Sequence, residues 1–354
     1  MLYYIVPIYA FLVYTVQVIF RSNKKLNFLL FPAFVFILFI GMFRDVTVGT
    51  DTYMYLKVFE FFPDIEIGFK IFATFIKNIG GDFVAFLSLF FFLSFLLKII
   101  AFKSLSNNFA LSFLIYSGFW FLVYDINAIR QGLALGFVAM SFVFLNNKNM
   151  KMFYVACFLA CVNHYSAAIF LPFGIIVNKI KCSNKLFLVV FFTVLILSIT
   201  QIAQPVIAFL SNFLGGDNRL VSRAQDYQRD ELYNSNILYS FSTFTRILIL
   251  FITFFALQKI KINERLKNIL LWSALLNISF YLIFSQYELI ATRLSLYYRF
   301  GECFFFSFLP EITKYNIVKF LIGFLILCYI LLMISQTLSI KNNNLEPYKS
   351  VIFN

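Results

Sequence analysis

The residues of this 354-residue chain best suited to chemistry are few and fall in short strings. Its single histidine, His164, stands in Asn163-His164-Tyr165, a polar interruption of an apolar stretch over 152–177. Imidazole exchanges a proton near neutral pH, and non-helical backbone at membrane depth is tolerated only where it is buried in protein or lines a cavity. A second string gathers Asp125, Asn127, Arg130 and Gln131 just before Gly132 and Gly136, whose spacing suits close helix packing. A guanidinium there offers planar, paired bonds to phosphate or carboxylate, and the plain alternative is that Arg130 simply pairs with Asp125. The string over 288–302 carries Arg293 and Tyr297 at i, i+4, facing the cavity that Arg130 would face, and Arg299 and Glu302 at i, i+3. The latter two also read as a purely structural ion pair. In the string over 43–55, Arg44 and Asp45 end an apolar run; Gly49 permits a turn, Thr50 follows, and Asp51 can cap a short helix bearing Tyr53 and Tyr55. Cys157, Cys161 and His164 share one helix face at i, i+4, i+7, but no carboxylate or further histidine completes a metal set. The five cysteines lie within or at the edges of apolar runs and imply no disulfide framework.

These strings hang on a chain that is 62% hydrophobic and 13% charged, with 52 Phe, 20 Tyr and a mean hydropathy of +0.86. That excludes a water-soluble globular protein. The phenylalanine content is also what an AT-rich coding sequence yields, so it says little about sugar stacking. Apolar runs able to cross a bilayer fall at 2–20, 26–42, 83–100, 109–124, 129–145, 186–204, 237–257, 269–286, 294–311 and 318–337. The stretch 152–177 reads as one long helix or two short ones meeting at His164. Two short passes put the clusters at Lys24–Lys25, Lys98–Lys103, Lys148–Lys151, Lys179–Lys185, Lys259–Lys267 and Lys314–Lys319 on one side, so the positive-inside rule favours about twelve passes with both termini outside. Residues 1–20 carry no basic leader or cleavage site and read as a retained first span. On this layout the net charge of +13 is mostly inside lysine that orients the chain, and no nucleic acid partner is implied. Eight of the ten arginines fall at or near the outer face, which marks that face as the working one.

Within a single membrane domain spanning 1–354, two outer loops are long enough to carry function, 43–82 and 205–236. The first contains a helix over 65–79 whose apolar residues Phe69, Phe72, Phe75, Ile76 and Ile79 oppose Lys70, Thr74 and Lys77, as in a helix lying in the membrane interface. The second repeats Arg219, Arg223, Asp226 and Asp230 at helical spacing, which suits either a salt-bridged helix or a lid over a site.

RDVTVGTDTYMY (44–55), NAIRQGLALG (127–136), HYSAAIFLP (164–172) and RLSLYYRFGECFFFSFLP (293–310) together resemble the EpsG-like polysaccharide polymerases, a family that overlaps the Wzy O-antigen and capsule polymerases. The likeness runs in order along nearly the whole chain, apart from the second outer loop. It implies an all-α polytopic membrane protein of ten to twelve transmembrane helices, a GT-C-like, O-antigen-polymerase-type bundle with two larger extracytoplasmic loops. It also implies a place in the bacterial inner membrane with the active site on the periplasmic side. There a glycan on undecaprenyl diphosphate would be transferred onto the non-reducing sugar of another lipid-linked repeat unit, with undecaprenyl diphosphate leaving. The expected partners are those lipid-linked repeat units, the bilayer, a chain-length regulator and a flippase. Placed arginines can stabilise a diphosphate leaving group, and the outer loops hold no DxD-type pair, so no cofactor and a metal-independent mechanism are expected. On this reading Arg130 and Arg293 clamp the diphosphate with Arg44 or Arg223 as a third contact. His164 or Asp51 is the base, and Asp45, Thr50, Tyr53, Tyr55, Gln131, Tyr165, Tyr297 and Arg299 are further candidates for substrate contact. An O-antigen ligase would share this physics, but the GTD string and the HYS break favour a polymerase. A flippase or other transporter would carry its ionisable residues near mid-membrane on inverted repeats, and no such symmetry is visible in the sequence.

Overall fold

The computed structural model describes residues 1–22, 25–61, 65–202, 205, 236–340 and 343–353. Among these there is no β-strand beyond an isolated bridge between Arg44 and Ser350. The helices are α1 (Ile5–Ile19), α2 (Phe31–Met42), α3 (Thr52–Phe61), α4 (Ile67–Asn78), α5 (Phe83–Leu105) and α6 (Phe109–Ile115). A wide-turned segment Tyr116–Asn127 leads to α7 (Ile129–Asn146), α8 (Met150–Asn163), the 3₁₀ stretch Tyr165–Phe170, α9 (Phe173–Lys179) and α10 (Asn184–Ile199). After the second loop come α11 (Phe241–Lys259), α12 (Glu264–Ile283), α13 (Glu288–Arg299), a turn Glu302–Phe305, the 3₁₀ stretch Phe306–Ile312 and α14 (Asn316–Ser339). They gather into two compact units. Residues Met1–Leu171 with Cys303–Asn354 form one, and Pro172–Glu302 the other.

The breaks between apolar runs are set by capping chemistry. Asp82, Asn108, Asn149, Ser183 and Ser240 each accept a backbone N–H three residues ahead, satisfying groups that a helix start leaves open. Seven described helices are long and apolar enough to cross a membrane: Leu2–Ile19, Phe83–Leu105, Phe109–Asn127, Ile129–Asn146, Phe241–Lys259, Glu264–Ile283 and Asn316–Ser339. Asn27–Met42, Met150–Asn163, Tyr165–Lys179 and Asn184–Ile199 are apolar but shorter.

One expectation needs correction. The run 294–311 is not one helix: α13 ends at Arg299, and Gly301 lies so close to Ser273 that a Cβ there would come within 2.2 Å of its Oγ. Within that run Ser295, Arg299 and Glu302 interrupt the apolar residues on either side of the break at Gly301. Within 109–127, Gly118 leaves the helical region at φ −90°, ψ −120°, and the chain bends enough for Tyr116 to hydrogen-bond Asp125. At His164 the chain takes extended backbone (φ −156°, ψ 116°) and reverses. The rings of Phe153 and Phe170 then meet at 6.1 Å, whereas seventeen residues of continuous helix would separate them by about 25 Å.

Candidate functional site

The amphipathic helix of the first loop is where the site begins. Phe69, Ala73 and Ile76 of α4 are buried in a cluster with Phe86 and Phe90 of α5, the Phe69 and Phe86 rings 4.6 Å apart. The apolar residues expected on one face are therefore split: Phe69 and Ile76 turn inward, whereas Phe75 and Ile79 stay exposed alongside Ile67 and Ile71. One turn before Phe69 on the inward row is Glu66, only 2% exposed, at the start of α4. Gly68 packs directly on Asn163 at the end of α8, and this close approach brings Glu66 to the next residue, His164. His164 Nδ1 lies 3.0 Å from Glu66 Oε1. The other carboxylate oxygen, Oε2, accepts from Arg130 at the start of α7. The neighbouring Gln131 completes the group, its Nε2 lying 3.0 Å from His164 Nε2. An amide nitrogen only donates, so His164 accepts at Nε2 and donates from Nδ1 to Glu66.

Electrostatics follow from this geometry. Burial would push the Glu66 carboxyl up, but the His164 hydrogen bond and the Arg130 charge more than offset it, holding the group at about 2 rather than 4.5. Glu66 is thus an anion shared by a cation and an imidazole. Below Arg130 lies the Tyr55 ring, its centroid 5.3 Å from the guanidinium carbon, and burial raises the Tyr55 phenol to about 12. Arg130 and His164 each keep a partly exposed edge, with 26% and 14% of the side chain accessible.

The motif 44–55 docks beside this cluster through Asn127. Gly49 takes φ +89°, and Asn127 Oδ1 accepts from Thr50 Oγ1 at 2.9 Å and from the Asp51 backbone N–H at 3.2 Å. Its other edge is held by the C-terminal segment, where Asp45 N–H donates to Lys349 O, Gly49 N–H to Asn344 O, and Val351 N–H to Phe43 O. Asp45 also accepts from the Thr47 hydroxyl and N–H, which lowers its pKa. Tyr53 and Tyr165 are exposed. Arg44 is completely buried, donating to Gly41 O, with Nε and Nη2 unpartnered; burial lowers its guanidinium to about 10.

Asp125 is not the partner of Arg130. Its oxygens accept from Lys98 at 2.6 and 2.8 Å, from Ser94 at 2.6 Å and from Tyr116 at 2.6 Å. Lys98, expected as an inside orientation charge, is 0% exposed and belongs to the interior of the bundle instead. So not every ionisable group sits at an outer helix end. Nor do the Cys157–Cys161–His164 positions converge, since Cys157 Sγ contacts Ser141 Oγ at 3.5 Å while His164 turns to Glu66.

In the second unit, Arg299 Nε is 3.3 Å from Glu302 Oε2, the ion pair expected there. Tyr297 is fully buried and Arg293 half-buried on α13. Arg246 is buried on α11, its Nη1 bonded to Asn277 and Ser295 and its plane 3.7 Å from the Tyr281 ring. Arg223, with the rest of 206–235, lies outside the described residues.

Glu66 is the member of the site that sequence reasoning passed over. The signal was its register: 66, 69, 73 and 76 form one helical row, and a carboxylate on a row otherwise apolar has to find a buried cation.

A chain whose described elements are all helical, seven of them of membrane length, with a shared Glu–His–Arg cluster at helix ends, is a multi-pass membrane protein with a polar cluster at its helix termini. The EpsG family model matches residues 27–350, and the chain belongs to that family. Membership points to a polysaccharide-polymerase-like membrane protein. No curated protein and no solved structure matches the chain.

Proposed function

We propose that this protein is a glycosyltransferase that polymerises polysaccharide at the periplasmic face of the bacterial inner membrane, in a bundle of about twelve passes. It would transfer a glycan from undecaprenyl diphosphate onto the non-reducing end of a lipid-linked repeat unit. The observation carrying this reading is the Glu66–His164–Arg130 cluster, assembled from three separate segments in a member of the EpsG family.

In the proposed reaction an acceptor hydroxyl takes the place of the Gln131 amide at His164 Nε2. The hydroxyl oxygen bonds to the anomeric carbon, its proton passes to Nε2, and the bond to the diphosphate breaks with the electron pair leaving on oxygen. Glu66 fixes the tautomer that makes Nε2 the base and stabilises the imidazolium that forms. At rest Glu66 and Arg130 cancel, so proton uptake makes the cluster net positive as the leaving diphosphate gains charge. The exposed edge of Arg130 is the proposed diphosphate contact. Arg293→Ala tests separately the sequence-based expectation of a second one.

Gene deletion tests the reaction. Surface glycan capped at one repeat supports a polymerase. Full-length chains that stay on the carrier favour a ligase, and lipid-linked repeats trapped inside favour a flippase. The buried Lys98–Asp125 pair is the feature a flippase reading would use, but its hydrogen bonds are satisfied within the bundle, as in a fixed support.

A further inference from the structure

The second unit holds a polar cavity of about 280 Å³ between the ends of α10, α11 and α12. Lys181 and Lys267 line it with Asn184, Gln258, Asn268 and Glu264. Its lining groups are linked: Gln258 Nε2 donates to Asn184 Oδ1 at 2.9 Å, Lys267 Nζ to Gln258 Oε1 at 3.3 Å, and Asn268 Nδ2 to the 177 and 180 carbonyls at 3.0 and 3.2 Å. The surrounding segments 179–185 and 259–267 carry Lys179, Lys181, Lys185, Lys259, Lys261, Arg265 and Lys267 against the single carboxylate Glu264. Glu264 lies 3.7 Å from Lys181 in a pair exposed on both sides, so it offsets little of this charge.

Below this mouth the surface is apolar. Leu188, Phe192 and Ile196 on α10, and Phe255, Ile252 and Leu248 on α11, form exposed rows running away from the cavity. The two helices are joined there by the Phe187 and Phe254 rings, stacked at 4.2 Å. A basic, hydrogen-bonding cup beside exposed apolar helix faces matches a phosphodiester headgroup with its acyl chains, and those apolar faces favour a lipid over a free phosphate ion. We infer that this cavity binds the headgroup of an anionic phospholipid, on the membrane face carrying the 179–185 and 259–267 loops.

The test uses the full chain in neutral detergent, titrated with phosphatidylglycerol, with phosphatidylcholine of the same acyl chains, and with inorganic phosphate. Binding is read by native mass spectrometry and by the unfolding midpoint. Phosphatidylglycerol is expected to bind and raise the midpoint, and the other two are not. Lys181→Ala with Lys267→Ala should weaken phosphatidylglycerol by about 30-fold, two lysine contacts at the strength usual for a membrane surface. Lys259→Ala with Lys261→Ala removes the same charge outside the cavity and should leave most of the affinity. If the first double variant unfolds early without lipid, Lys267→Gln, which can still bond Gln258, takes its place. Equal binding of phosphatidylcholine, an equal shift with phosphate, full affinity in the cavity variants, or an equal loss in the control variant overturns the inference.

Discussion

Gly68 and Asn163 touch so closely that a Cβ on Gly68 would lie 2.6 Å from Asn163 Oδ1 and 2.9 Å from the Val162 carbonyl oxygen. Carbonyl oxygen belongs to the backbone and cannot move aside cheaply. Gly68→Ala gains up to about 1 kcal/mol in helix propensity, yet it must push α4 off α8 and carry Glu66 away from His164. Chain extension should fall on the order of 100-fold, the scale of an ångström-sized misplacement, with protein abundance in the membrane retained. Extension at wild-type level, scored by glycan length in a complemented deletion strain, would remove the claim that this contact sets the site.

His164→Ala and Arg130→Ala should each reduce extension by about 10²-fold or more, as expected for a lost base or a lost charge contact. Asp51→Asn should be milder, because the carboxylate on the imidazole is Glu66. The comparison is decided by in vitro polymerisation with purified lipid-linked repeats. An Asp51 variant as inactive as the His164 variant would reassign the base.

Glu66 makes a pH prediction with a definite sign. Its folded value lies below the ordinary 4.5, at about 2, so its stabilising contribution is complete above about pH 4.5 and is lost as the pH falls toward 2. Glu66→Gln should therefore unfold earlier than wild type at pH 7, by on the order of 3 kcal/mol for a broken buried pair, with the gap closing below pH 4. A gap that is constant from pH 7 to pH 3, followed by thermal unfolding in detergent, would contradict the pairing.

Removing Lys98 alone leaves Asp125 charged in the bundle interior. Lys98→Met should cost about 3 to 5 kcal/mol, and adding Asp125→Asn should recover a large part of it, since a neutral amide can still serve Ser94 and Tyr116. Unfolding midpoints of the two single variants and the double variant give the coupling directly. Additive losses would mean the two groups do not act as a pair.

The membrane class of the fold was legible because apolar runs and their polar breaks are local features, and the capping residues Asp82, Asn108, Asn149 and Ser183 mark those breaks in the sequence itself. The reversal at His164 was legible for the same reason. Lys98 was misread because a lysine near the end of an apolar run looks like a loop charge, and only the bend at Gly118 brings Asp125 to it. Arg130 and His164 stood out as chemistry, but the residue joining them lies 64 and 98 positions away, a relation set by helix packing rather than spacing. The broken run at 294–311 shows the limit of counting apolar residues where Arg299 and Glu302 interrupt them.

The motif that includes Gly49, Thr50 and Asp51 is fastened along both margins, to Asn127 on one side and to residues 344–351 on the other. A segment stitched in that way cannot swing like a door without tearing bonds on two seams at once. It is a fixed border beside the Glu66–His164–Arg130 cluster, and any motion that opens this cluster has to come from other segments.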